Sequence, residues 1–537
     1  MTRDAVRERT IASAQWAAYA DALGFITEFA SPSIVRARTG SSRAERLVPW
    51  KRRVGGKFGV EVLLPSGCYS DDTQLRLSTS RAIRGDGHFD VEAFAKVELP
   101  VWLGYSLGGG RVTKAAASAL ARSDVNWNTN FFAGEAPYVN GGGNGAAMRV
   151  QPHAWAAVSV QQMAADVAAN TITTHGHPRA LVGAMFHALT VFHVLRESRF
   201  PDLSTLESLL ADVGALISNT LRKEPFKDLW LPLWQNANAG TPFATALDKT
   251  VREMQHDLKA LASAPTSASY AELAKRIDAL EPDQRGSGTK SALLASFWAS
   301  LGAERPVEKV ITACNLLGSD TDTIGSMVGA IVGAATGTPP PELPMDCEYI
   351  SFEAQRLASV ASGEKSSSFQ YPDLIHWEAP RTQADIIAKN SSNEILGLGK
   401  GEPSSDLFQD HRGRYAYRWY ALRFGQHILA KVRLSGGHRN VADTKIEQTS
   451  MFPRRRDPEA ESLDSVQVWQ QQPAVDAGLH ELTQHVIQSN FDPKMIGEML
   501  LDLARRPNGI ELCIAFSGIL AKAIQARLPH RTRQGRG

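Results

Sequence analysis

The sequence predicts a mainly α-helical protein that ends in a smaller α+β domain. From about residue 8 to residue 345, alanine-rich segments carry apolar residues at helical spacing. Strand signal is scarce there, apart from FGVEVLLPSG near residues 58–67. Beyond residue 369, GRYAYRWYALRFGQHILAKVRLSGG alternates apolar or aromatic residues with polar ones, as strands do, and helical spacing returns near the end of the sequence.

Short breaks of Gly, Pro, Ser and Asn separate the predicted helices, and no repeat of fixed period indicates a solenoid. In chain order, these helices are IASAQWAAYADALG, VEAFAKVELPVWLGY, VQQMAADVAANTITTH, RALVGAMFHALTVFHVLRESR, LESLLADVGALISNTLRK, ATALDKTVREMQHDLKALASA, YAELAKRIDAL and TKSALLASFWASLG. The helix SFEAQRLASVASG closes this domain, and GEKSSSFQYP then has a linker-like composition. We therefore predict two domains, residues 1–368 and residues 369–537.

The second domain is predicted to contain strands, a charged loop and terminal helices. The loop is SMFPRRRDPEAES, the helices run from DAGLHELTQHVIQ to CIAFSGILAKAIQARL, and RLPHRTRQGRG is expected to be a frayed basic tail. The aromatic residues of YAYRWYALRF, with nearby arginines, suggest a surface for a protein or nucleic-acid partner. The alternative is an ordinary half-buried strand, which the pattern favours.

Composition bounds the classes of protein that the chain can belong to. The 537 residues are 43% hydrophobic and 21% charged, with a net charge of +2, which is ordinary for a globular protein and does not indicate a nucleic-acid or acidic-membrane partner. The four cysteines lie far apart and form no CxxC pair, which fits a reducing compartment. The first segment lacks the apolar core of a signal peptide, so we expect a cytoplasmic protein.

The segment LLGSDTDTIGSMVGAIVGAA, from Leu316 to Ala335, allows two interpretations. Its glycines recur at every fourth position, as in membrane helices that pack closely. However, the apolar run after Thr323 reaches three prolines after about 14 residues, whereas a spanning helix needs about 20. We therefore predict a buried helix whose glycines let other helices approach closely, and no membrane partner.

Three segments of the first domain are more acidic than packing requires. YADALGFITEF contains Asp21 and Glu28, CYSDDTQLRL contains the run 70–73, and GSDTDTIG contains Asp320 and Asp322. Acids at a helix start often serve as caps. A cap needs one carboxylate, however, and two adjacent carboxylates repel each other. If the segments converge, their oxygen ligands suit hard cations such as Mg²⁺ or Mn²⁺.

These segments resemble, in their order and separation, those of the ADP-ribosylglycohydrolase family, the relatives of the dinitrogenase-reductase-activating glycohydrolase. ADALGFITE is similar to the family's GDALG…E, SDDT to its TDDT, and GSDTDT to its GGDTDT. NGGGNGAAMRVQP at residues 140–152 is similar to its GNGAAMR loop, and TTHGHPRALVGA at residues 173–184 to its THPHPRAI segment. The resemblance implies an all-α fold with two Mg²⁺ (or Mn²⁺) ions in a cleft that binds ADP-ribose.

The resemblance also implies roles for individual residues. The implied metal ligands are Ser70, Asp71, Asp72, Asp320, Asp322 and Thr323. Ser70 replaces the family's usual threonine but keeps a hydroxyl. The implied catalytic residues are Glu28, Asp72 and Asp322, with Glu28 matching a glutamate that acts as acid/base or metal ligand in some members. Some members place a catalytic aspartate after a glycine-rich stretch, but GYSLGGGRVTKAA contains no acid here, so the chemistry would rest on Glu28 or a metal-ligating carboxylate.

The expected substrate-binding residues are Gly143, Asn144, Gly145, His175 and Asp21. Glycines allow backbone N–H groups to approach a diphosphate closely, and Asn144 adds a hydrogen bond; the alternative is a flexible turn. His175 would face the ribose or phosphate, although a histidine at a helix start is as often structural. Asp21 matches the aspartate of the first motif, in which Ala20 replaces the usual glycine.

The predicted function is metal-dependent hydrolysis of the glycosidic bond that links ADP-ribose to a modified target. The target group stays open between arginine, serine, O-acetyl and nucleobase conjugates. Two alternatives remain: an inactive relative that binds ADP-ribose or has a structural role, and another binuclear-metal hydrolase such as a phosphoesterase.

Overall fold

The computed structural model describes residues 3–56, 59–302, 304–388, 393–409, 416–434, 478–506 and 509–525. Helices dominate this part of the chain, and a small sheet follows them, so the prediction of a mainly α fold with a smaller α+β C-terminal part is confirmed. The predicted charged loop at residues 450–462 and the basic tail at 527–537 lie outside the described residues.

The helices follow each other closely along the chain. The first are α1 Arg3–Thr27, α2 Pro32–Thr39, α3 Asp71–Ala82, α4 Val91–Ala93, α5 Leu99–Trp102, α6 Arg111–Leu120 and α7 Gln151–Ala156. The next are α8 Val160–Ile172, α9 Pro178–Glu197, α10 Leu203–Leu221, α11 Leu231–Ala237, α12 Phe243–Ala262, α13 Tyr270–Arg276 and α14 Gly288–Ser300. The last are α15 Pro306–Cys314, α16 Thr321–Thr336, α17 Cys347–Ala361, α18 Leu479–Gln488, α19 Pro493–Ala504 and α20 Gly509–Gln525.

The strands form two antiparallel sheets. The first is the hairpin of β1 Trp50–Val54 and β2 Val60–Leu64, which confirms the predicted strand near residue 60 and adds a partner strand that the sequence did not indicate. The second contains β3 Glu394–Ile395, β4 Gly399–Pro403, β5 Phe408–Gln409, β6 Ala416–Leu422 and β7 His427–Val432. β6 lies at its centre and pairs with β4, β5 and β7.

Glycines explain how α1 and α16 pack in direct contact. A Cβ on Gly329 would lie 2.4 Å from the carbonyl oxygen of Trp16, and one on Gly333 would lie 2.3 Å from that of Ala12. A side chain at either position would therefore separate the helices. α16 is a buried helix of 16 residues, as the sequence analysis predicted for this segment. Because α1 and α16 pack so closely, their acidic ends are brought to the same side of the bundle.

α9 is the helix that is long and apolar enough to cross a membrane, among the residues that the structure describes. In its most apolar window, 89% of the residues are buried inside the protein. α9 is therefore a core helix of the folded protein.

The part of the chain that contains β3 to β7, which we call the strand segment, packs on the helices. Its buried residues, including Tyr417, Trp419 and Ile428, belong to the same hydrophobic cluster as the buried residues of α1 and α16. Tyr417, Trp419 and Tyr420 are each at most 5% exposed, so β6 is a strand, as predicted, but it is buried on both faces and not on one. The boundary between residues 368 and 369 stays a prediction.

Candidate active site

The start of α3 is held by a buried aspartate of α1. Oδ1 of Asp21 accepts the backbone N–H of Ser70 (2.9 Å), and Oδ2 accepts the N–H of Thr73 (2.8 Å) and its hydroxyl (2.5 Å). The hydroxyl of Ser70 accepts the N–H of Asp72 at 3.2 Å and so caps the helix. With the cap supplied by these residues, the carboxylates of Asp71 and Asp72 are left for other contacts.

The two acids of α3 face a cavity. Oδ1 of Asp71 accepts the backbone N–H of Gly109 at 2.6 Å, and Oδ1 of Asp72 accepts the hydroxyl of Thr323 at 3.2 Å. Oδ2 of Asp72 is buried and has no hydrogen-bond partner within the described part of the chain. An orphaned buried carboxylate oxygen is costly unless another ligand, such as a cation, satisfies it.

The start of α16 lies opposite. Asp320 occupies the N-cap position, but its side chain makes no capping hydrogen bond, and its Oδ2 accepts the amide N–H of Asn144 at 2.9 Å. Asp322 is buried, and its Oδ1 accepts the N–H of Thr323 at 2.9 Å. Carboxylate oxygens of Asp320, Asp322 and Glu28 lie within 4.8 Å of one another, a spacing at which they could hold a metal ion.

Glu28 follows directly after α1 and forms an ion pair with Arg52 of β1. Its Oε2 accepts a hydrogen bond from each of the guanidinium nitrogens Nη1 and Nη2, both at 3.2 Å. The Arg52 guanidinium also lies 4.2 Å from the centre of the Phe25 ring, which fixes its position. Burial raises the pKa of Glu28, the ion pair with Arg52 opposes this rise, and the charge of Asp320 adds to it.

The carboxylates of the cluster raise one another's pKa. Burial, followed by the charge of Glu28, raises the pKa of Asp71 to about 7. Burial also raises the pKa of Asp72 and of Asp322 well above the usual value, and the neighbouring carboxylates raise it further. The donor set consists of hard oxygen ligands, which suits Mg²⁺ or Mn²⁺. The residues present therefore fit a divalent cation.

The glycine loop joins the cluster from another side. The backbone N–H of Asn144 donates to the carbonyl of Gly286 (2.9 Å), and its side-chain amide donates to Asp320 and to Ser291 (3.1 Å). Asn144 thus links the loop to the start of α16. Gly143 and Gly145 face His175: a Cβ on Gly145 would lie 3.1 Å from Cε1 of that ring, so the glycine keeps this space open.

The two histidines of the TTHGHP segment have different surroundings. Nδ1 of His175 lies 2.7 Å from the hydroxyl of Thr174, and burial lowers the pKa of His175 to about 3, so the ring is neutral at physiological pH. Nδ1 of His177 accepts the N–H of Arg179 and caps α9, the structural role that was the alternative for such a histidine. The buried Arg149 connects the segment to the loop by donating to Thr174 (2.8 Å) and to the carbonyl of Gly145 (2.9 Å).

A cavity of about 910 Å³ contains these groups. Most of the residues predicted for the site line it, namely Glu28, Asp71, Asp72, Gly143, Asn144, Gly145, His175, Asp320, Asp322 and Thr323. Asp21 and Ser70 do not line it. They are both fully buried, and their oxygens accept hydrogen bonds at the start of α3. They hold the first turn of α3 in place and do not reach the cavity themselves.

Several cavity residues were missed by the sequence analysis. Five basic side chains line it, Arg52, Arg111, Lys114, Arg179 and Arg285. Phe29, next to Glu28, is 73% exposed at the cavity, with the Arg285 guanidinium 5.5 Å from its ring centre. The glycine-rich stretch 108–110 also contributes, through the N–H of Gly109 on Asp71. Isolated arginines give no local signal, because their role depends on which segments meet in the fold.

Comparison with known proteins identifies the first two thirds of the chain. The family model described as ADP-ribosylglycohydrolase matches residues 2–357. The ADP-ribosylhydrolase ARH3 of Gallus gallus is 26% identical over 311 residues, which are 54% of this chain and 76% of the relative. That of Xenopus tropicalis is 23% identical over 282 residues, 50% of this chain and 73% of the relative.

A solved structure described as an ADP-ribosylglycohydrolase-related protein complex is 20% identical and covers 67% of this chain and 99% of that chain, with a TM-score of 0.42. The family match and the curated relatives support the glycohydrolase class of enzyme. Since the family model covers more than half of the 537 residues, the chain belongs to the ADP-ribosylglycohydrolase family.

Proposed function

We propose that this protein hydrolyses the glycosidic bond between ADP-ribose and a modified target, and that it requires two divalent cations, Mg²⁺ or Mn²⁺. The observation that carries the proposal is that one cavity combines a carboxylate cluster with a glycine loop and five basic side chains. A cation-binding region beside an anion-binding region matches a ligand that offers ribose hydroxyls at one end and a diphosphate at the other.

The carboxylates of Asp71, Asp72, Asp320 and Asp322 would hold the cations, with the Thr323 hydroxyl and the Glu28 carboxylate beside them. Bound cations would supply charge neutralisation and polarisation of the ribose hydroxyls and of a water molecule. Ser70 belongs to the predicted ligand set, and its hydroxyl accepts the N–H of Asp72. It supports the set by fixing the first turn of α3.

Glu28 is our candidate for the general acid/base. Hydrolysis adds a water molecule: its oxygen bonds to the anomeric carbon, the bond to the leaving atom breaks, and a proton moves to that atom. Burial raises the pKa of Glu28, which favours a carboxyl group that can hold a proton, and its ion pair with Arg52 keeps the carboxylate at the edge of the cluster.

The remaining groups orient the substrate. The Gly143–Gly145 loop and the neutral His175 offer polar contacts without adding negative charge, and Arg111, Lys114 and Arg285 add positive charge. A diphosphate would need such groups, because the carboxylate cluster alone repels an anionic substrate. The identity of the target stays open between arginine, serine, O-acetyl and nucleobase conjugates.

A reducing, cytoplasmic location is part of the proposal, and the four free cysteines support it. The proposed partner is the ADP-ribosylated target. A further protein or nucleic-acid partner of the C-terminal part stays a prediction, and the burial of Tyr417, Trp419 and Tyr420 removes these rings as a stacking surface.

A substrate panel tests the proposal. Full-length protein would be incubated with peptides ADP-ribosylated on arginine or on serine, with O-acetyl-ADP-ribose and with an ADP-ribosylated oligonucleotide, and released ADP-ribose quantified by mass spectrometry. We expect release from at least one conjugate with Mg²⁺ or Mn²⁺, and none after chelation. Tight ADP-ribose binding without release from any conjugate would favour the inactive-binder alternative, and release of phosphate would favour a phosphoesterase.

A further inference from the structure

The turn between β6 and β7 contacts α3, the helix that carries Asp71 and Asp72. We call the turn residues Phe424, Gly425 and Gln426, together with His427 at the start of β7, the wedge. The N–H of Leu422 donates to the carbonyl of Gln426 at 2.8 Å, which closes the turn. The wedge lies about 70 residues beyond residue 357, the last position of the family match, so the family model does not account for it.

The middle of the wedge is shaped for a close approach. Gly425 has a φ of +101°, which favours glycine, and a Cβ there would lie 3.2 Å from the Cβ of Tyr349 on α17. The Phe424 ring packs against Tyr349 with a centroid distance of 5.0 Å. Gln426 is fully buried. The wedge is therefore inserted between α17 and α3.

The contacts of Arg81 fix the C-terminal end of α3. Arg81 is fully buried, and its Nη1 donates to Oε1 of Gln426 at 2.7 Å. Its other nitrogens pair with both oxygens of Glu98, at 2.7 and 2.8 Å, and its guanidinium lies 5.3 Å from the centre of the Phe424 ring. A buried guanidinium without these partners would carry a large desolvation cost.

A second chain of contacts fixes the N-terminal end of α3. Nδ1 of His427 lies 2.7 Å from Oδ1 of Asp346, and the backbone N–H of His427 donates to Oδ2 at 2.9 Å. The hydroxyl of Tyr69 donates to the same Oδ2 at 2.6 Å. The Asp346 side chain is 1% exposed, so its oxygens need these donors as hydrogen-bond partners. Tyr69 directly precedes the 70–72 run that carries the predicted cation ligands.

We propose that the wedge is a positioning element for the carboxylates of Asp71 and Asp72, with His427 acting on them through Asp346 and Tyr69. The inference rests on the proposed function in taking these carboxylates as cation ligands. Groups behind a ligand set its orientation, and their loss commonly weakens metal affinity about 10-fold to 100-fold. Here, the supporting group comes from the strand segment and completes a site built by the helical domain.

The main test compares His427→Phe with His427→Asn in the full chain, because Asn retains a side-chain N–H that can donate to Asp346. His376→Leu is the matched control, since His376 lies in the same C-terminal part and its side chain is 42% exposed. Mn²⁺ affinity would be measured by electron paramagnetic resonance, and amide hydrogen exchange of residues 68–76 by mass spectrometry without metal. The thermal unfolding midpoint of the metal-free chain would be recorded for each variant.

We expect His427→Phe to weaken Mn²⁺ binding about 10-fold and to accelerate exchange at residues 68–76. His427→Asn should recover most of the affinity, and His376→Leu should match wild type. A lower unfolding midpoint in His427→Phe with unchanged Mn²⁺ affinity and unchanged local exchange would overturn the proposal, since the wedge would then be merely structural.

A milder variant covers the case in which His427→Phe does not fold. Tyr69→Phe keeps the ring and removes the hydroxyl that donates to Asp346. We expect the same faster exchange at residues 68–76 and weaker Mn²⁺ binding; wild-type values for both would overturn the proposal. If wild type itself binds no Mn²⁺, the metal requirement of the proposed function fails, while the metal-free exchange comparison still decides the role of the wedge.

Discussion

The starts of α3 and α16 carry similar acidic sequences but use them differently. At α3, Ser70 caps the helix and Asp21 accepts the N–H groups of Ser70 and Thr73, so capping is complete without Asp71 and Asp72. At α16, Asp320 occupies the N-cap position without capping, and its carboxylate accepts the amide of Asn144 instead. Helix capping therefore explains Ser70 but does not explain the four carboxylates of Asp71, Asp72, Asp320 and Asp322.

The two helix starts are also held in place by different contacts. α3 is fixed by at least three hydrogen bonds to Asp21, while α16 is fixed by the glycine contacts of its later turns with α1. We infer that the fold provides two rigid helix starts by separate means and brings like charges together between them. Like charges placed together in this way repel one another, and bound cations would offset this repulsion.

The largest effect is expected from Asp322→Asn, which would break the acidic cluster at the α16 side. The substitution keeps the shape and removes one charge, so release of ADP-ribose should fall by at least about 100-fold, as expected when several kcal/mol of cation-dependent stabilisation is lost. The thermal midpoint of the metal-free chain should stay the same or rise, because repulsion decreases. Asp283→Asn, an exposed acid at the same cavity, is the control. Wild-type release by Asp322→Asn would show that Asp322 is not an essential ligand.

Asp21→Asn tests the separate support of α3. We expect a loss of about 1–3 kcal/mol in the free energy of unfolding, measured by urea denaturation, because Asn keeps one acceptor oxygen where Asp21 uses two. If Asp21 instead contacts substrate, as the sequence analysis predicted, stability would be unchanged and KM would rise.

The pH dependence of stability tests how much the charges at the two helix starts destabilise the folded protein. Burial raises the pKa of Asp71 to about 7 in the folded protein, above its value in the unfolded chain of about 4. Its stabilising contribution is therefore present at low pH and is lost as the pH rises from about 4 to about 7. Differential scanning fluorimetry of the metal-free chain should show that the midpoint of wild type falls relative to that of Asp71→Asn between pH 6 and pH 8. The two proteins are compared with each other because buried His153, His175 and His187, whose pKa burial lowers to about 3, change the stability of both in the opposite direction.

Added Mg²⁺ or Mn²⁺ should raise the midpoint more at pH 8 than at pH 6, because cations bind the deprotonated carboxylates. Equal stabilisation at the two pH values would indicate that the carboxylates do not titrate in this range. It would also remove the argument from repulsion at the two helix starts.

The smallest effects come from the two N-cap positions. Ser70→Ala should cost about 1 kcal/mol in the free energy of unfolding, as for other lost caps. Asp320→Ala should cost less in the metal-free chain, because Asp320 makes no capping hydrogen bond and the loss of its bond to Asn144 is offset by reduced repulsion between carboxylates. Urea denaturation of both variants in a chelator measures the difference, and equal losses would contradict the distinction between the helix starts.

Local sequence carried enough information to predict most of the longer helices and to single out the acidic residues, whereas their meeting in one site was implied by the family resemblance. Asp71, Asp72, Asp320 and Asp322 stand out because each pair lies within three residues. The partners of these residues could not be predicted in the same way. Asn144 and Asp320 are 176 positions apart, and Arg52 reaches Glu28 through a hairpin whose first strand has little strand signal.

The C-terminal part shows the same limit. The alternation in β6 and β7 predicted strands, but not that His427 would meet Asp346, 81 positions earlier. β4 reads GKGEP, which lacks alternating apolar residues, and its place in the sheet depends on pairing with β6. Burial of the β6 aromatics likewise follows from packing on the helices and not from their sequence.

The central claim is that the two acidic helix starts hold divalent cations that the reaction needs. Mn²⁺ titration of the metal-free full chain, with bound ions counted by electron paramagnetic resonance and ADP-ribose release measured in the same samples, tests it most directly. We predict no release in excess chelator, a rise in proportion to bound Mn²⁺, and saturation at two ions per chain. Undiminished release in chelator, or saturated binding without release from any conjugate, would contradict the account.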